Sequence, residues 1–348
     1  MYDSTSLLTN LRSRYNPDRD LLVEGRLSAE LSGVDKATAK YIKAAMCEVD
    51  STYTQITLDA GNAVKAQLNA KQHGISYEFQ GSVMTQTHIR GVSDIDLLTL
   101  TNTFEDTELT KVINILDNYS LKSQYSWTGQ QRLQKFYDDF SRYTGDSDQV
   151  LMQLRLNNEA ILKAAYSNCD TSNAKAIKVK NLHYNRNIDV VTANWLVTVE
   201  SIIHEGDKTY KGVKVFDKDK RTTLPADYPF LSIKRINDRS AETGGRLKKM
   251  IRFLKNIVAD SDKPIDLHSF EINAICYSCP INDYQSLHYL ELAYYIWRYM
   301  YDLHQDTARL NALKSVDGSE YVFLGKPERV AALKTLEDQV WHLLQTLK

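Results

Sequence analysis

This chain of 348 residues has almost no net charge, only four cysteines and no long apolar run. Lysine and arginine number 43 against 44 aspartates and glutamates, so the net charge of −1 excludes a polycation that coats nucleic acid without selectivity. No apolar run approaches the ~20 residues of a membrane-spanning helix. The start, Met1 to Thr5, lacks the basic and apolar regions of a secretory signal. We therefore predict a soluble, cytoplasmic protein.

The four cysteines form no metal-binding or disulfide pattern. Only Cys276 and Cys279 make a CxxC pair, whereas a tetrahedral zinc site needs about four ligands. No second CxxC or HxxxH is present, and the pair does not follow the βαβ pattern of a redox motif. We expect buried or incidental thiols.

An ordinary globular composition remains, with 43% hydrophobic and 25% charged residues, and it excludes disorder of the whole chain. Residues 1–34 are polar and irregular, with room for one short helix. From Asp35, apolar residues spaced by three or four predict one long helix that ends at Gly74. We predict an α+β protein with an N-terminal segment at 1–34, a core domain with this long helix at 35–225, and a helical lobe at 226–348.

Shorter patterns predict the elements of the core domain and the lobe. The predicted strands are Ile75 to Phe79, Asp94 to Leu100, Ala176 to Leu182, Ile188 to Val191 and Trp195 to Ile203. The predicted helices cover 105–119, 149–166, 245–259, 268–278, 284–304 and 327–347. Residues 120–147 show no clean periodicity.

The two carboxylates of Asp94-Ile95-Asp96 are the first candidates for chemistry. Alternate residues of a strand share a face, so both carboxylates project together. Such a pair is costly without a cation, and its oxygens suit Mg²⁺ or Mn²⁺. Upstream, Gly81-Ser82 follows a strand, where glycine permits close backbone approach and N–H groups at a helix start bind phosphate. Together the two motifs predict nucleotidyl or phosphoryl transfer, although either alone is more often a turn or a solvated strand end.

A third carboxylate, Asp189, stands in an apolar strand where an unpaired charge would be costly. If this strand lies beside that of Asp94 and Asp96, the three carboxylates converge and hold two metal ions for an in-line displacement. His88 is interpreted as an ordinary loop histidine, because the metals and Asp189 suffice to activate a hydroxyl.

These motifs resemble the signature of a known family. Residues 79–82 read FQGS and residues 87–98 read THIRGVSDIDLL. This string resembles the DNA polymerase β-like nucleotidyltransferases and, more narrowly, the cGAS/DncV-like nucleotidyltransferases (CD-NTases), relatives of oligoadenylate synthetase. The strings GGRLKKMIRFLK at 244–255 and LHSFEI at 267–272 are similar to helical-lobe motifs of that family. The resemblance implies a two-lobed polymerase β-like fold with a mixed sheet and a C-terminal helical bundle.

The resemblance also implies site residues. It implies that Asp94, Asp96 and Asp189 bind the metals, that Gly81 and Ser82 hold the donor triphosphate, and that Lys255 and Ser269 reach the same triphosphate. Helical spacing over 245–259 places Lys248, Arg252 and Lys255 in a basic stripe beside an apolar one. Such a stripe is usually a solvated face. Lys255 is the favoured phosphate ligand because it lies closest to the apolar stripe, and Lys248 and Arg252 are secondary candidates.

The implied activity is that of a bacterial enzyme which joins nucleoside triphosphates, ATP with GTP or a pyrimidine nucleotide, into a cyclic di- or trinucleotide or short oligonucleotide and releases pyrophosphate. In bacterial members of the family the product is a second messenger of CBASS anti-phage defence, and it binds a separate effector. Nothing supports a membrane partner or a nucleic-acid activator. Two alternatives stay open, namely toxin-like transfer of a nucleotide to a tRNA or protein, and a non-enzymatic binder that kept the fold.

Overall fold

The computed structural model describes residues 4–15, 37–92 and 94–347. Backbone contacts divide the chain into two compact units. The first, here called the helical unit, comprises the described residues of Met1–Thr54, Ser82–Ser93 and Arg235–Lys348. The second, the sheet unit, comprises Gln55–Gly81 and Asp94–Lys234. The domains predicted from the sequence, at 1–34, 35–225 and 226–348, differ in their bounds from these two units and stay a prediction.

The strands of the described chain all belong to the sheet unit. They are β1 (Ile75–Gln80), β2 (Ile95–Thr101), β3 (Asp106–Thr107), β4 (Cys169–Asp170), β5 (Ala176–Asn181), β6 (Arg186–Val197), β7 (Gly212–Asp217) and β8 (Thr222–Thr223). The main path runs β1-β2-β6-β5-β4, while β3 and β7 also pair with β6, and β8 pairs with β7. Because β2 and β6 are parallel and β1, β5 and β7 are antiparallel to their neighbours, the sheet is mixed, as predicted.

The helices account for most of the remaining described residues. They are α1 (Ser4–Tyr15), α2 (Ala37–Met46), α3 (Ser51–Asn69), α4 (Leu109–Asp117), α5 (Tyr119–Lys122), α6 (Trp127–Asp139), α7 (Ser147–Ala165), α8 (Val199–Ile203), α9 (Pro229–Glu242), α10 (Arg246–Asp260), α11 (Ser269–Ser278), α12 (Ile281–Tyr284), α13 (Tyr289–Gln305), α14 (Thr307–Ala312) and α15 (Pro327–Gln345). A short 3₁₀ helix covers Lys208–Tyr210. α5 and α6 lie in the stretch where the sequence shows no periodicity.

The core of the helical unit forms around α10, whose apolar residues recur with helical period. Leu247, Ile251 and Leu254 are fully buried with side chains of α2, α11, α13 and α15. Arg252 and Lys255 are only 2% and 8% exposed, so most of the predicted basic stripe is buried rather than solvated.

The first helix belongs to this core through one buried carboxylate. Arg14 Nε and Nη2 donate to Asp260 Oδ1 at 2.8 and 2.6 Å, and the Tyr41 hydroxyl donates to Asp260 Oδ2 at 2.9 Å. Such partners are required, because a buried charge without them is strongly unfavourable. The short helix predicted within residues 1–34 is therefore confirmed at α1.

The single helix predicted from Asp35 to Gly74 is wrong, because residues 47–50 separate α2 from α3. Asp50 Oδ1 accepts a hydrogen bond from the Tyr53 backbone N–H at 2.9 Å, and Oδ2 pairs with Arg90 at 3.0 Å. A carboxylate that caps a new helix in this way competes with continuation of the previous one. The predicted cap at Asp35 lies outside the described residues.

The strands predicted at Ile188–Val191 and Trp195–Ile203 are one strand, β6, followed by α8. Polar residues at 192 and 194 interrupt the apolar pattern without ending the strand, because residues 193–196 pair with β7. Thr198 ends the extended segment and begins α8 with a capping box that includes Ser201. The other predicted strands, and the helices predicted at 149–166, 245–259, 268–278 and 327–347, are confirmed within about two residues, the usual uncertainty of element ends.

A buried polar network fixes the pairing of β2 with β6. Asn158 of α7 donates to the hydroxyls of Thr99 and Thr192, register partners on the two strands, at 2.8 and 3.2 Å. Gln72 donates to Asn158 Oδ1 at 2.8 Å. A slip of one residue would leave these buried groups unpaired, so the network stabilises one register.

Candidate active site

The candidate site lies at the N-terminal ends of β2 and β6. Because these strands are parallel neighbours, Asp96 and Asp189 are register partners. Adjacent strands lie ~4.8 Å apart and register partners point to the same face. Gln80 of β1 and Lys178 of β5 are the next partners on either side. The structure therefore brings Asp96 and Asp189 side by side, with Lys178 next to Asp189 and Asp170 of β4 beyond it.

Asp94 directly precedes β2 and is tied to β6. Asn187 Nδ2 donates to Asp94 Oδ1 at 3.2 Å. Asn187 lies two residues before Asp189 on β6, so both residues are on the same face of the strand. The charge of Asp94 acts on both Asp96 and Asp189. The three carboxylates predicted from the sequence thus lie close together at the N-terminal ends of β2 and β6.

Burial dominates the electrostatics of this group. It raises the pKa of Asp96 to about 7, and the negative charges of Asp189 and Asp94 contribute to the rise. Burial also raises the pKa of Asp189, against the effect of Lys178, whose Nζ lies 4.0 Å from Asp189 Oδ2. The group therefore requires a cation or a proton.

The donor chemistry fits a hard divalent cation, since carboxylate oxygens are the ligands that Mg²⁺ and Mn²⁺ prefer. Asp189 Oδ1 is buried and has no hydrogen-bond partner within the described residues. Across residues 4–15, 37–92 and 94–347, however, no three His, Cys, Asp or Glu side chains are already arranged around one ion position. Asn187 contacts Oδ1 of Asp94 and Lys178 lies near Oδ2 of Asp189, so each side chain approaches only one oxygen of its carboxylate.

Gly81 follows β1 directly and lies against Asp96. Its φ of +87° is in the left-handed region that favours glycine. A methyl group at this position would lie 2.5 Å from Asp96 Oδ2, closer than any side-chain carbon can approach. The position therefore requires glycine for its conformation and for its space.

Ser82 begins a tight turn that belongs to the helical unit. Its carbonyl oxygen accepts hydrogen bonds from the Thr87 backbone N–H at 2.9 Å and from the Thr85 hydroxyl at 3.1 Å. Lys255 and Ser269 belong to the same unit. Burial lowers the pKa of Lys255 to about 7, and Ser269 is the exposed first residue of α11. The predicted site residues thus fall in both units, with Gly81 and the carboxylates in the sheet unit.

His88 is buried, which the sequence did not indicate. Its Nε2 lies 3.0 Å from the Thr54 hydroxyl. Burial first, and then the positive charges of Lys255 and Arg252, lower its pKa to about 4. The imidazole is therefore neutral at physiological pH.

A cavity of about 470 Å³ opens beside the carboxylates. Asp94, Lys178, Lys180, Asn187 and Asp189 contribute to its lining. Its volume is in the range of small-molecule sites. Sequence reasoning missed Lys178 as a member of the site, because the alternation of β5 shows only that it points away from the core, and its place opposite Asp189 depends on strand pairing.

Comparisons with known proteins identify relatives along the whole chain. Residues 234–345 match the family model of the cGAS/DncV-like nucleotidyltransferase C-terminal helical domain. The chain is 46% identical over 348 residues to a c-di-GMP synthase of Lachnospiraceae bacterium (strain RUG226), with 99% of both chains covered.

Two solved structures are similar over the same extent. One is the STING-associated CdnE c-di-GMP synthase from Capnocytophaga granulosa, with a TM-score of 0.80, 34% identity and 99% of each chain covered. The other is a STING-associated CdnE c-di-GMP synthase from Flavobacteriaceae sp., with a TM-score of 0.86, 32% identity, and 100% of this chain and 99% of that chain covered.

Proposed function

This chain belongs to the cGAS/DncV-like nucleotidyltransferase family and is a nucleotidyltransferase, and we propose that it joins two GTP molecules into cyclic di-GMP. The family and the α+β, polymerase β-like fold expected from the sequence are confirmed. The relatives described above are named c-di-GMP synthases, which favours GTP over the expected combination of ATP with a second nucleotide.

The observation that best supports this function is the shared register of Asp96 and Asp189, with Asp94 next to them. In the proposal these three carboxylates hold two Mg²⁺ or Mn²⁺ ions. When bound, the ions supply the Lewis acid that activates the attacking hydroxyl and neutralises the leaving phosphate.

In the proposed reaction, a ribose hydroxyl oxygen of one GTP forms a bond to the α-phosphorus of the other. The bond from that phosphorus to the β-phosphate's bridging oxygen breaks, and pyrophosphate leaves. Asp189 accepts the hydroxyl proton. Gly81 and Ser82 hold the donor triphosphate through backbone N–H groups and the serine hydroxyl, while Lys255 and Ser269 provide a cation and a hydroxyl for it. A second transfer closes the ring.

The setting expected from the sequence is also part of the proposal. The product acts as a second messenger of CBASS anti-phage defence in the cytoplasm and binds a separate effector. In the part of the chain that the structure describes, no helix combines the length and apolarity needed to cross a membrane.

The test is incubation of the purified chain with GTP, ATP or both, in Mn²⁺ or Mg²⁺, followed by mass spectrometry. We expect GTP alone to yield cyclic di-GMP that resists phosphatase. A product that requires ATP would overturn the choice of GTP. Label that appears only on added tRNA or protein would replace the proposal with toxin-like transfer.

Carboxamide variants identify the site. Asp96→Asn and Asp189→Asn are expected to lower turnover by at least about 100-fold, because even outer partners of metal ligands contribute 10–100-fold. Asp138→Asn is the matched control, since Asp138 is an exposed carboxylate of α6 in the same unit. Full turnover in both site variants would contradict the assignment.

A further inference from the structure

The turn that follows Ser82 contains a residue in an unfavourable backbone conformation. Gln86 has a φ of +54°, in the left-handed region that non-glycine residues other than Asn and Asp rarely adopt. Its side chain is exposed, so apolar burial does not compensate. Such conformations persist only where the surroundings impose them, and they are concentrated at functional sites.

Two cations of α10 hold Gln86 in place. Arg252 Nη1 donates to the Gln86 backbone carbonyl at 2.8 Å, and Lys248 Nζ donates to the side-chain Oε1 at 3.1 Å. Arg252 is itself fixed, because Nε donates to the Met46 carbonyl at 2.9 Å and the side chain is only 2% exposed. All of these contacts lie within the helical unit.

Hydrogen bonds inside the turn connect Gln86 to Ser82. The Gln86 N–H donates to the Val83 carbonyl at 3.1 Å, and the next N–H, of Thr87, donates to the Ser82 carbonyl at 2.9 Å. The Thr85 hydroxyl donates to the same Ser82 carbonyl at 3.1 Å. The direction of the Ser82 backbone therefore depends on the conformation of Gln86.

We propose that Gln86 and Arg252 are positioning residues for the donor triphosphate. Arg252 holds Gln86 in the left-handed conformation, and that conformation orients Ser82. The inference rests on the proposed function, and it differs from the sequence reading in one respect. Arg252 acts on the turn through the Gln86 carbonyl and does not contact the phosphates. Lys248 supports the same turn through the Gln86 side chain.

The test uses a series of residues at position 86 that differ in how readily they adopt positive φ. The full-length chain is titrated with guanosine 5′-(α,β-methylene)triphosphate, which cannot be turned over, in Mg²⁺ by calorimetry. Gln86→Gly and Gln86→Asn are expected to bind within about twofold of wild type, because both residues adopt this conformation easily. Gln86→Ala is expected to bind about threefold more weakly, and Gln86→Val at least about tenfold more weakly.

The order of these affinities decides the question. Loss of a direct side-chain contact would weaken Gly, Asn and Ala alike, and that result would overturn the proposal. Equal affinity across the whole series, including Val, would overturn it as well.

A second comparison concerns Arg252. Arg252→Lys is expected to weaken binding about tenfold. The guanidinium group donates to the Met46 and Gln86 carbonyls at once, and a lysine ammonium group cannot reproduce that geometry. The double variant Gln86→Gly/Arg252→Lys should recover most of that loss, since glycine adopts the positive φ of the turn without the hydrogen bond from Arg252. Failure of the double variant to recover binding, with its melting temperature at the Arg252→Lys value or above, would overturn the role of Arg252.

These outcomes are separate from the fate of the proposed function. If the variants bind the analogue in the expected order but the wild-type chain makes no cyclic product, this inference stands and the proposed reaction is wrong. A chain that makes cyclic di-GMP but shows no dependence on φ at position 86 retains the reaction and loses this inference. A wild-type chain that does not bind the analogue loses both.

Discussion

At the scale of single residues, Asp96 shows how a group proposed for catalysis burdens the fold. It is partly buried beside two other carboxylates, and its pKa is raised to about 7. Lys178 forms an ion pair with Asp189 at 4.0 Å, whereas Asp96 forms no ion pair within the residues that the structure describes. Below its pKa, a proton takes the place of a cation.

Replacement of Asp96 by asparagine is therefore expected to stabilise the metal-free chain while it abolishes turnover. The folded pKa of about 7 lies above the ~3.9 of an unfolded aspartate, so the folded state binds the proton more tightly. The stabilisation that this bound proton provides is fully present below the unfolded pKa and is lost as the pH rises through the folded pKa. Asparagine removes this loss.

Thermal melts in EDTA measure the effect. At pH 8 we expect Asp96→Asn to melt about 2 to 6 °C above wild type, as about 1–2 kcal/mol would give in a domain of this size. At pH 5 the gain should be smaller. A melting temperature equal to or below that of wild type at pH 8 would contradict the interpretation, and added Mn²⁺ should raise the melting temperature of wild type only.

At the scale of elements, the end of β1 determines whether Asp96 has room. Gly81 leaves the strand with positive φ and without a side chain, directly beside the carboxylate. The start of the same strand offers a comparison. Gly74 precedes β1, also has positive φ, at +69°, and has nothing within 4 Å of the position that a methyl group would take.

Alanine at these two glycines should separate conformational strain from loss of space. Gly74→Ala is expected to destabilise the chain by about 1 kcal/mol and to keep its activity, because only the backbone preference is lost. Gly81→Ala carries the same strain and also displaces Asp96, so turnover should fall at least about tenfold. Melting temperatures and turnover of both variants provide the measurement, and equal activity in the two would refute the steric role of Gly81.

The elements also show what the sequence could predict. Alternation within a strand is a local property, so Asp94 and Asp96 could be placed on one face from the sequence. The partner of Asp96 depends on the pairing of β2 with β6, which Thr99, Thr192 and Asn158 fix through contacts distant in the chain. For the same reason the sequence alone does not identify Lys178 as the neighbour of Asp189.

The wrong elements have a related cause. Asp50 ends one helical pattern and caps the next, although its neighbours keep the apolar spacing of a single helix. Residues 192–194 interrupt the apolar run but remain paired in β6. In both places a hydrogen-bond partner distant in sequence or a cap outweighs the local periodicity.

At the scale of the whole molecule, the helical unit is assembled from three separate stretches of chain. Its core combines the C-terminal helices with Leu7 and Leu11 of α1 and with Tyr41 and Ile42 of α2. Asp260, at the end of α10, has its buried carboxylate satisfied from α1 and α2. The C-terminal helices are therefore not complete by themselves.

A fragment of residues 226–348 is expected to lack a cooperative fold. It would expose the surface that α1 and α2 cover and leave Asp260 without Arg14 and Tyr41, a loss of about 3–5 kcal/mol for a buried charge alone. Circular dichroism should show helix without a sharp thermal transition, and near-ultraviolet signals should be weak. A sharp transition at the temperature of the intact chain would show that the N-terminal helices are dispensable.

The pairing of β2 with β6 also has a consequence during synthesis. Roughly 90 residues separate Asp96 from Asp189, so at 5–20 residues per second the second strand is translated about 5 to 20 seconds after the first. Until β6 leaves the ribosome and finds its place, a nascent chain carries two of the three acids and no neighbour to complete them. Under the proposed function, a polypeptide that ends before Asp189 therefore lacks the third carboxylate and is expected to make no cyclic product.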